Sequence, residues 1–202
     1  PLEGPSDPTR CLGGKCRNCK EKISARYPIV ESLNAVLWTL SAYFIGLNAN
    51  AFIYDALFSA LIVMTFIDID TKEIPNGIVV FIIILSIPLF FTAKDVVWWH
   101  RLVGAVVISV PLYVIALVTG GIGGGDIKLY FALGLVLGLY PTLVSAFIAI
   151  VSAGLIGGVL LLTKKVRKGY ELPLGPFIAL GAVVTVFAGT PIIDGIKNLF
   201  GI

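Results

Sequence analysis

The chain has 202 residues, of which 57% are hydrophobic and only 13% are charged, and its formal net charge is +3. Together with a mean hydropathy of +0.97, this composition excludes a soluble domain and indicates a polytopic membrane protein. Basic loops facing anionic lipid account for the small positive charge, so we expect membrane lipid as a partner and no nucleic acid.

Apolar runs, divided at proline, glycine and charged residues, provide about seven segments close to the roughly 20 residues that a spanning helix needs. We therefore predict an all-α polytopic membrane protein with about seven transmembrane helices. A short cytoplasmic Cys-containing segment over residues 1–28 precedes a membrane domain over 29–202. The fifth span is short, its boundary falls within several residues of Tyr140-Pro141-Thr142, and a tilted or re-entrant segment stays open. The predicted spans are 29–47, 51–67, 77–93, 102–119, 127–141, 142–163 and 176–193.

Lysine and arginine in short loops orient a membrane protein, because these residues accumulate on the cytoplasmic side. With the N-terminus in the cytoplasm, 12 of the 15 basic residues fall on the inner side. Only Lys94, Arg101 and Lys197 fall on the outer side. The sequence therefore predicts a cytoplasmic N-terminus.

The first acidic motif, Asp68-Ile-Asp70, ends the second span. The acids lie two positions apart, so on a continuing helix they point about 200° apart and only one can face the bundle. Pro75 prevents the second helix from simply continuing, and Asn76 is a suitable N-cap for the third span. We expect a sharp cytoplasmic turn here.

The second motif is a glycine stretch that ends in an acid, Gly123-Gly124-Gly125-Asp126, followed by Lys128. Glycine allows close backbone approach, so a bound peptide can run against this segment and pair its amide groups where water is scarce. Asp126 would then lie beside the bond to be cleaved.

The predicted topology brings Asp68 and Asp126 to the same cytoplasmic side, where two carboxylates can share a proton and activate water. Asp55 lies at the outer end of the second span, about 20 Å from Asp68, and is interpreted as a solvated or interfacial carboxylate. His100, beside Trp98 and Trp99, is interpreted as an interfacial residue.

These motifs resemble the type IV prepilin peptidases, membrane aspartyl proteases of the Gly-x-Gly-Asp group. The resemblance rests on the Asp68-x6-Pro75-Asn76 turn and on the Gly-x-Gly-Asp126-x-Lys128 motif. It extends to residues 16–31, which look like the second cysteine pair and following span of the bacterial enzymes, and to residues 172–177, which look like their late cytoplasmic loop.

The resemblance implies that Asp68 and Asp126 are the catalytic pair, without indicating which is the acid and which the base. It implies cleavage of the basic leader of type IV prepilins and pseudopilins at the face of the bacterial cytoplasmic membrane. It also implies N-methylation of the new N-terminus with S-adenosylmethionine. Our predicted substrate-binding residues are Gly123, Gly125, Asp70 and Lys128, and the acids Asp68, Asp70 and Glu73 are expected to attract the basic leader.

The N-terminal segment departs from the family pattern. Bacterial members carry an earlier span and two Cys-x-x-Cys pairs, whereas this sequence begins at Pro1 and contains Cys11, Cys16 and Cys19. Three cysteines leave a tetrahedral zinc site one ligand short, so a missing segment, a lost site and a fourth ligand from elsewhere stay open. Zinc and methyltransferase activity are therefore kept as predictions.

Two further interpretations remain. A presenilin-like intramembrane protease shares the Gly-x-Gly-Asp feature, and Tyr54-Asp55 supplies its tyrosine-aspartate dipeptide at the wrong depth. A small ion-coupled transporter would use Asp68 and Asp126 as cation or proton sites, with the glycines as a broken helix. Cleavage of the substrate, as opposed to its movement across the membrane, distinguishes a protease from a transporter.

Overall fold

The computed structural model describes residues 24–93, 96–164 and 172–200. Within these ranges the only regular elements are α-helices, as the all-α prediction requires. The helices are α1 Arg26–Phe44, α2 Ala49–Thr71, α3 Asn76–Thr92, α4 Trp98–Thr119, α5 Gly124–Leu137, α6 Leu139–Leu162 and α7 Gly175–Phe200.

Four of these helices are long and apolar enough to cross a membrane, which confirms the prediction of a polytopic membrane protein. They are Ala49–Thr71, Trp98–Thr119, Leu139–Leu162 and the Gly175–Gly195 part of α7, and Asn76–Thr92 is a shorter apolar helix. Large apolar side chains such as Phe91 and Leu162 project outward from the bundle, as lipid contact requires. The count of seven spans stays a prediction.

The turn between α2 and α3 lies where the sequence predicts it, but the N-cap of α3 is a different residue from the predicted one. Lys72 ends α2 in the left-handed conformation, with a φ of 56°. Pro75 is the N-cap of α3, and Asn76 is the first helical residue. The prediction of Asn76 as N-cap was wrong, because the fixed φ and the carbonyl of Pro75 already start the helix.

The boundary between α5 and α6 lies at Gly138, within several residues of the predicted Tyr140-Pro141-Thr142. Gly138 has a φ of 84°, which strongly favours glycine, and it ends α5 and begins α6. Pro141 lies in the first turn of α6. An N–H group in the first turn has no intrahelical partner, so proline costs little there.

Helix α5 lies at the centre of the bundle, where it packs against α3, α4, α6 and α7. Its closest neighbour is α4, because a Cβ built on Gly134 would lie only 2.2 Å from the carbonyl oxygen of Gly104. Small residues at such crossings allow helix backbones to pack closely in membranes. The core around α5 includes Leu57, Leu61, Met64, Ile82, Leu129 and Leu133.

Arg101, which the sequence analysis placed in an outer loop, is instead buried inside the bundle near the start of α4. Its Nη1 donates hydrogen bonds to the backbone oxygens of Leu135 (3.1 Å) and Val136. These carbonyls belong to the last turn of α5 and have no partners within that helix, so the guanidinium group supplies donors for them.

His100 packs edge-on against the rings of Trp99 and Tyr140. Trp98 and Trp99, in the first turn of α4, are exposed on the bundle surface. This aromatic cluster agrees with the interfacial interpretation of His100.

Candidate active site

Asp68 lies in the last turn of α2 and is buried. Its Oδ2 accepts a hydrogen bond of 2.8 Å from the backbone N–H of Gly175, the first residue of α7. The free N–H groups and partial positive charge of a helix N-terminus favour a carboxylate. A Cβ on residue 175 would lie 2.6 Å from Oδ2 and 2.9 Å from the sulfur of Met64, so a larger residue here would force these side chains to move.

Asp126 lies in the first turn of α5, outside the four long apolar helices, and is also buried. Its backbone N–H donates to the carbonyl of Gly123 at 3.1 Å. Burial, and then the negative charge of Asp68, raise the pKa of Asp126 to about 6, while a hydrogen bond from the Gly123 backbone opposes them. The two acids therefore interact electrostatically.

Both carboxyl groups line one cleft of about 270 Å³, which we call the aspartate cleft. The structure thus brings Asp68 and Asp126 together, as the predicted topology requires. Because like charges close together disfavour double ionisation, the pair can hold one proton between them. The other lining residues are Lys72, Glu73, Ile74, Asn76, Gly123, Gly124, Gly125 and Lys128.

Three of the four predicted substrate-binding residues line the aspartate cleft. Gly123 and Gly125 form its glycine side, and a Cβ on Gly125 would approach the Cβ of Ile74 to 2.9 Å. Lys128 is exposed, and its Nζ donates a 3.0 Å hydrogen bond to Oδ1 of Asn76. The α5 N-terminus is thereby held against the start of α3.

Asp70, the fourth predicted substrate-binding residue, does not line the aspartate cleft. It is exposed on the opposite side of α2, where it pairs with both terminal nitrogens of Arg26, one of them at 2.6 Å. The expectation that only one acid of the motif faces the bundle is confirmed, and that acid is Asp68.

Asp55 is buried, which corrects its interpretation as a solvated or interfacial carboxylate. It lies near Ser41 of α1, and in the described part of the chain neither Asp55 Oδ1 nor Ser41 Oγ has a hydrogen-bond partner of normal geometry. The residue faces α1, and this packing is not visible in the local sequence. As expected, Asp55 does not line the aspartate cleft.

The predicted zinc ligands Cys11, Cys16 and Cys19 lie outside the described residues. Among residues 24–93, 96–164 and 172–200, no group of three or more His, Cys, Asp or Glu side chains is arranged to hold a metal ion.

The sequence analysis missed the role of Gly175, whose N–H group holds Asp68. The signal was the Gly175-Pro176 pair at the start of an apolar run, because proline favours the first turn of a helix, where N–H groups have no partner within the helix. Its partner lies 107 residues earlier, so local sequence does not identify it.

Comparison with known proteins finds family models that match this chain. The Type IV leader peptidase family matches residues 56–158, which include both aspartates of the cleft. The Bacterial Peptidase A24 N-terminal domain matches residues 10–45. No solved structure matches the chain.

Similar proteins bear the name "Prepilin leader peptidase/N-methyltransferase". The protein from Bacillus subtilis (strain 168) is 34% identical over 90% of this chain and 73% of its own length. The protein from Burkholderia pseudomallei (strain 1026b) is 32% identical over 89% of this chain and 60% of its own length. The Neisseria gonorrhoeae protein is 34% identical over 84% of this chain and 60% of its own length. The chain belongs to the type IV leader peptidase family.

Proposed function

We propose that the protein is a membrane aspartyl endopeptidase that removes the basic leader from type IV prepilins or pseudopilins, with Asp68 and Asp126 as its catalytic pair. The observation that carries the proposal is the meeting of these two buried carboxyl groups, from α2 and α5, in one open cleft. The names of the similar proteins support the substrate class.

The chemistry follows from one proton shared by two acids. The protonated carboxyl group donates a hydrogen bond to the carbonyl oxygen of the scissile peptide. The ionised carboxylate takes a proton from a water molecule, and the oxygen of that water attacks the carbonyl carbon. The tetrahedral intermediate breaks its C–N bond, and the leaving amine takes a proton from the acid pair. Because the two acids titrate as a unit, their roles are assigned to the pair.

The proposed setting is the bacterial cytoplasmic membrane, with the N-terminus and the aspartate cleft on the cytoplasmic side. The distribution of Lys and Arg in the sequence supports this orientation. A leader rich in positive charge would reach the cleft from the cytoplasm, where Glu73 lines its edge.

Residues 1–28 form a separate cytoplasmic segment in this proposal, and 29–202 form the peptidase domain. N-methylation of the new N-terminus with S-adenosylmethionine is a second proposed activity, supported by the names of the similar proteins. Zinc at Cys11, Cys16 and Cys19 stays a prediction, and measurement of the metal content of purified protein tests it.

The deciding experiment measures cleavage of a prepilin-type leader peptide by purified protein in lipid. We expect Asp68→Asn and Asp126→Asn each to abolish cleavage, because each removes one member of the proton-sharing pair. Asp70→Asn is the matched control, since it changes an acid on the same helix turn that lies outside the cleft.

Normal cleavage by both cleft variants would refute the two-aspartate mechanism. A folded parent protein that moves ions without cleaving the peptide would favour the transporter. Cleavage within the apolar segment of the substrate would favour the presenilin-like interpretation.

A further inference from the structure

Tyr130 of α5 carries a buried hydroxyl group that the proposed mechanism does not use. The residue is 4% exposed, and its Oη has no hydrogen-bond partner in the described part of the chain. Buried tyrosine hydroxyls usually have a partner, because an unpaired polar group away from water raises the free energy of the folded protein. A partner for Oη is therefore expected among the polar groups close to it.

Tyr130 and Asp126 lie on the same face of α5. They are four positions apart in the helix, which makes their side chains neighbours. Long side chains in a helix lean toward its N-terminus, so the Tyr130 ring extends toward the turn that contains Asp126. The two groups are close enough for the charge of Asp126 to act on the Tyr130 hydroxyl.

Both residues line a small cavity of about 60 Å³ between α4, α5, α6 and α7. In the described part of the chain every other residue that lines it is apolar, among them Leu112 of α4, Ala149 of α6 and Phe177 of α7. The polar side chain that shares this cavity with Tyr130 is therefore Asp126. The space allows the hydroxyl and carboxyl groups to approach each other by side-chain rotation.

The two oxygens of the Asp126 carboxyl group have different surroundings. Oδ2 lies 3.0 Å from the position of a Cβ built on Gly123, whereas Oδ1 does not come within 4 Å of that position. Oδ2 thus faces the glycine side of the aspartate cleft. Oδ1 is the oxygen that we assign to a donor from inside the bundle.

We propose that Tyr130 is a positioning residue of the aspartate pair, whose hydroxyl donates a hydrogen bond to Oδ1 of Asp126 and fixes the orientation of this carboxyl group. This inference rests on the proposed peptidase function and adds a third side chain to it. Tyr130 does not line the aspartate cleft, so it acts on the reaction through Asp126 and does not touch the substrate.

The hydrogen bond has a consequence for the pH dependence of cleavage. A donor to a carboxylate favours the ionised form, so the contact lowers the pKa of Asp126. Tyr130→Phe removes the donor and should raise this pKa, which moves the alkaline limb of kcat/KM to higher pH by about one unit.

The other groups that face Asp126 are unchanged in this variant. Helix α3 contributes the neutral Asn76 to the cleft, and α4, α6 and α7 contribute apolar side chains to the cavity. The titratable and charged groups around Asp126 are Asp68 from α2, Lys72 and Glu73 from the turn after α2, Lys128 from α5 and Tyr130 itself.

The first test measures cleavage of a prepilin-type leader peptide in lipid from about pH 5 to pH 8. At its own pH optimum, Tyr130→Phe should lower kcat by about tenfold and keep KM within about twofold, because the carboxyl group is less well positioned while substrate contacts remain. Tyr113→Phe is the matched control, since it removes the hydroxyl of an exposed tyrosine of α4 that lines neither the cleft nor the cavity. An unshifted alkaline limb in Tyr130→Phe, or an equal shift in Tyr113→Phe, would overturn the proposal.

A double-mutant cycle on stability tests the same contact without using activity. The melting temperature in detergent at neutral pH is measured for the parent, Tyr130→Phe, Asp126→Ala and the double variant. Tyr130→Phe should lower Tm by about 2–4 °C in the parent and by less in the Asp126→Ala background, where the acceptor is absent. Equal effects in the two backgrounds would overturn the contact even if the parent cleaves. Unequal effects in a parent that does not cleave would refute the peptidase function and retain the hydrogen bond.

Discussion

Helix α2 carries two buried aspartates in different surroundings. Asp55 and Asp68 are 6% and 4% exposed and stand about 20 Å apart along the helix. Asp55 faces Ser41, without a hydrogen-bond partner of normal geometry on Oδ1 in the described part of the chain. Asp68 accepts a hydrogen bond from the Gly175 N–H group, and its carboxyl group lines a cleft that contains a second acid. Burial of a carboxyl group in a membrane helix is therefore insufficient evidence for a catalytic site.

The largest expected difference lies between the amide variants of these two aspartates. Asp68→Asn should lower cleavage of a prepilin-type peptide by at least about 1,000-fold, because under the proposed mechanism it removes a group that exchanges protons in the transition state. Asp55→Asn should stay within about threefold of the parent, since Asp55 lies outside the cleft. Initial rates in lipid measure both, and a similar loss in the two variants would break the comparison.

The support that Asp68 receives from α7 is tested with Gly175→Ala. Its Cβ would displace the Asp68 carboxylate, so we expect kcat to fall by about 10- to 100-fold with intact folding. Gly154→Ala is the matched control, because a Cβ on that α6 glycine meets no atom within 4 Å. Equal activity of the two variants would show that the Gly175 contact does not position Asp68.

The dependence of the cleavage rate on pH tests whether Asp68 and Asp126 share one proton. Because Asp126 has a pKa raised to about 6, the pair loses its proton as pH rises through this value. Cleavage should then fall by about tenfold per pH unit on the alkaline side, as seen in kcat/KM, which reports the free enzyme. Asp55→Asn should leave this limb in place. A flat profile from about pH 5 to pH 8 would contradict a shared proton.

The effect of the buried Asp55 on the free energy of unfolding can be measured. Asp55→Asn replaces a buried carboxyl group with a neutral amide whose N–H can donate to Ser41 Oγ, so we expect the free energy of unfolding to rise by about 1 kcal/mol. Denaturant titration in detergent measures the change. A loss of stability would mean that the ionised carboxylate makes favourable interactions at this position.

The smallest expected effect concerns the exposed acids near the cleft. Glu73→Gln should raise KM for a basic leader by about two- to threefold at low ionic strength and less at high salt, because Glu73 lines the cleft. Asp70→Asn should change KM less, since Arg26 already pairs with this carboxylate. The reverse order would restore the predicted role of Asp70 in substrate binding.

The helices were predictable to within a few residues because long apolar runs and charged breaks leave few alternatives in a membrane. The boundary at Gly138 lies a few residues before the predicted one, because the apolar run was divided at Pro141, although proline is accepted in a first turn. The convergence of Asp68 and Asp126 followed from topology. The burial of Asp55 and the contact from Gly175 depend on packing between distant segments, which periodicity does not report.

Arg101 holds the C-terminal end of α5 inside the bundle, and this limits how substrate and water can reach the aspartate cleft. Trp98 and Trp99 indicate that this end of the bundle lies near one membrane surface. The 14 residues of α5 rise about 21 Å, less than the roughly 30 Å of a bilayer's hydrocarbon core. A helix of this length does not cross that core alone, so the substrate junction and the attacking water both have to reach its N-terminal end through the aspartate cleft.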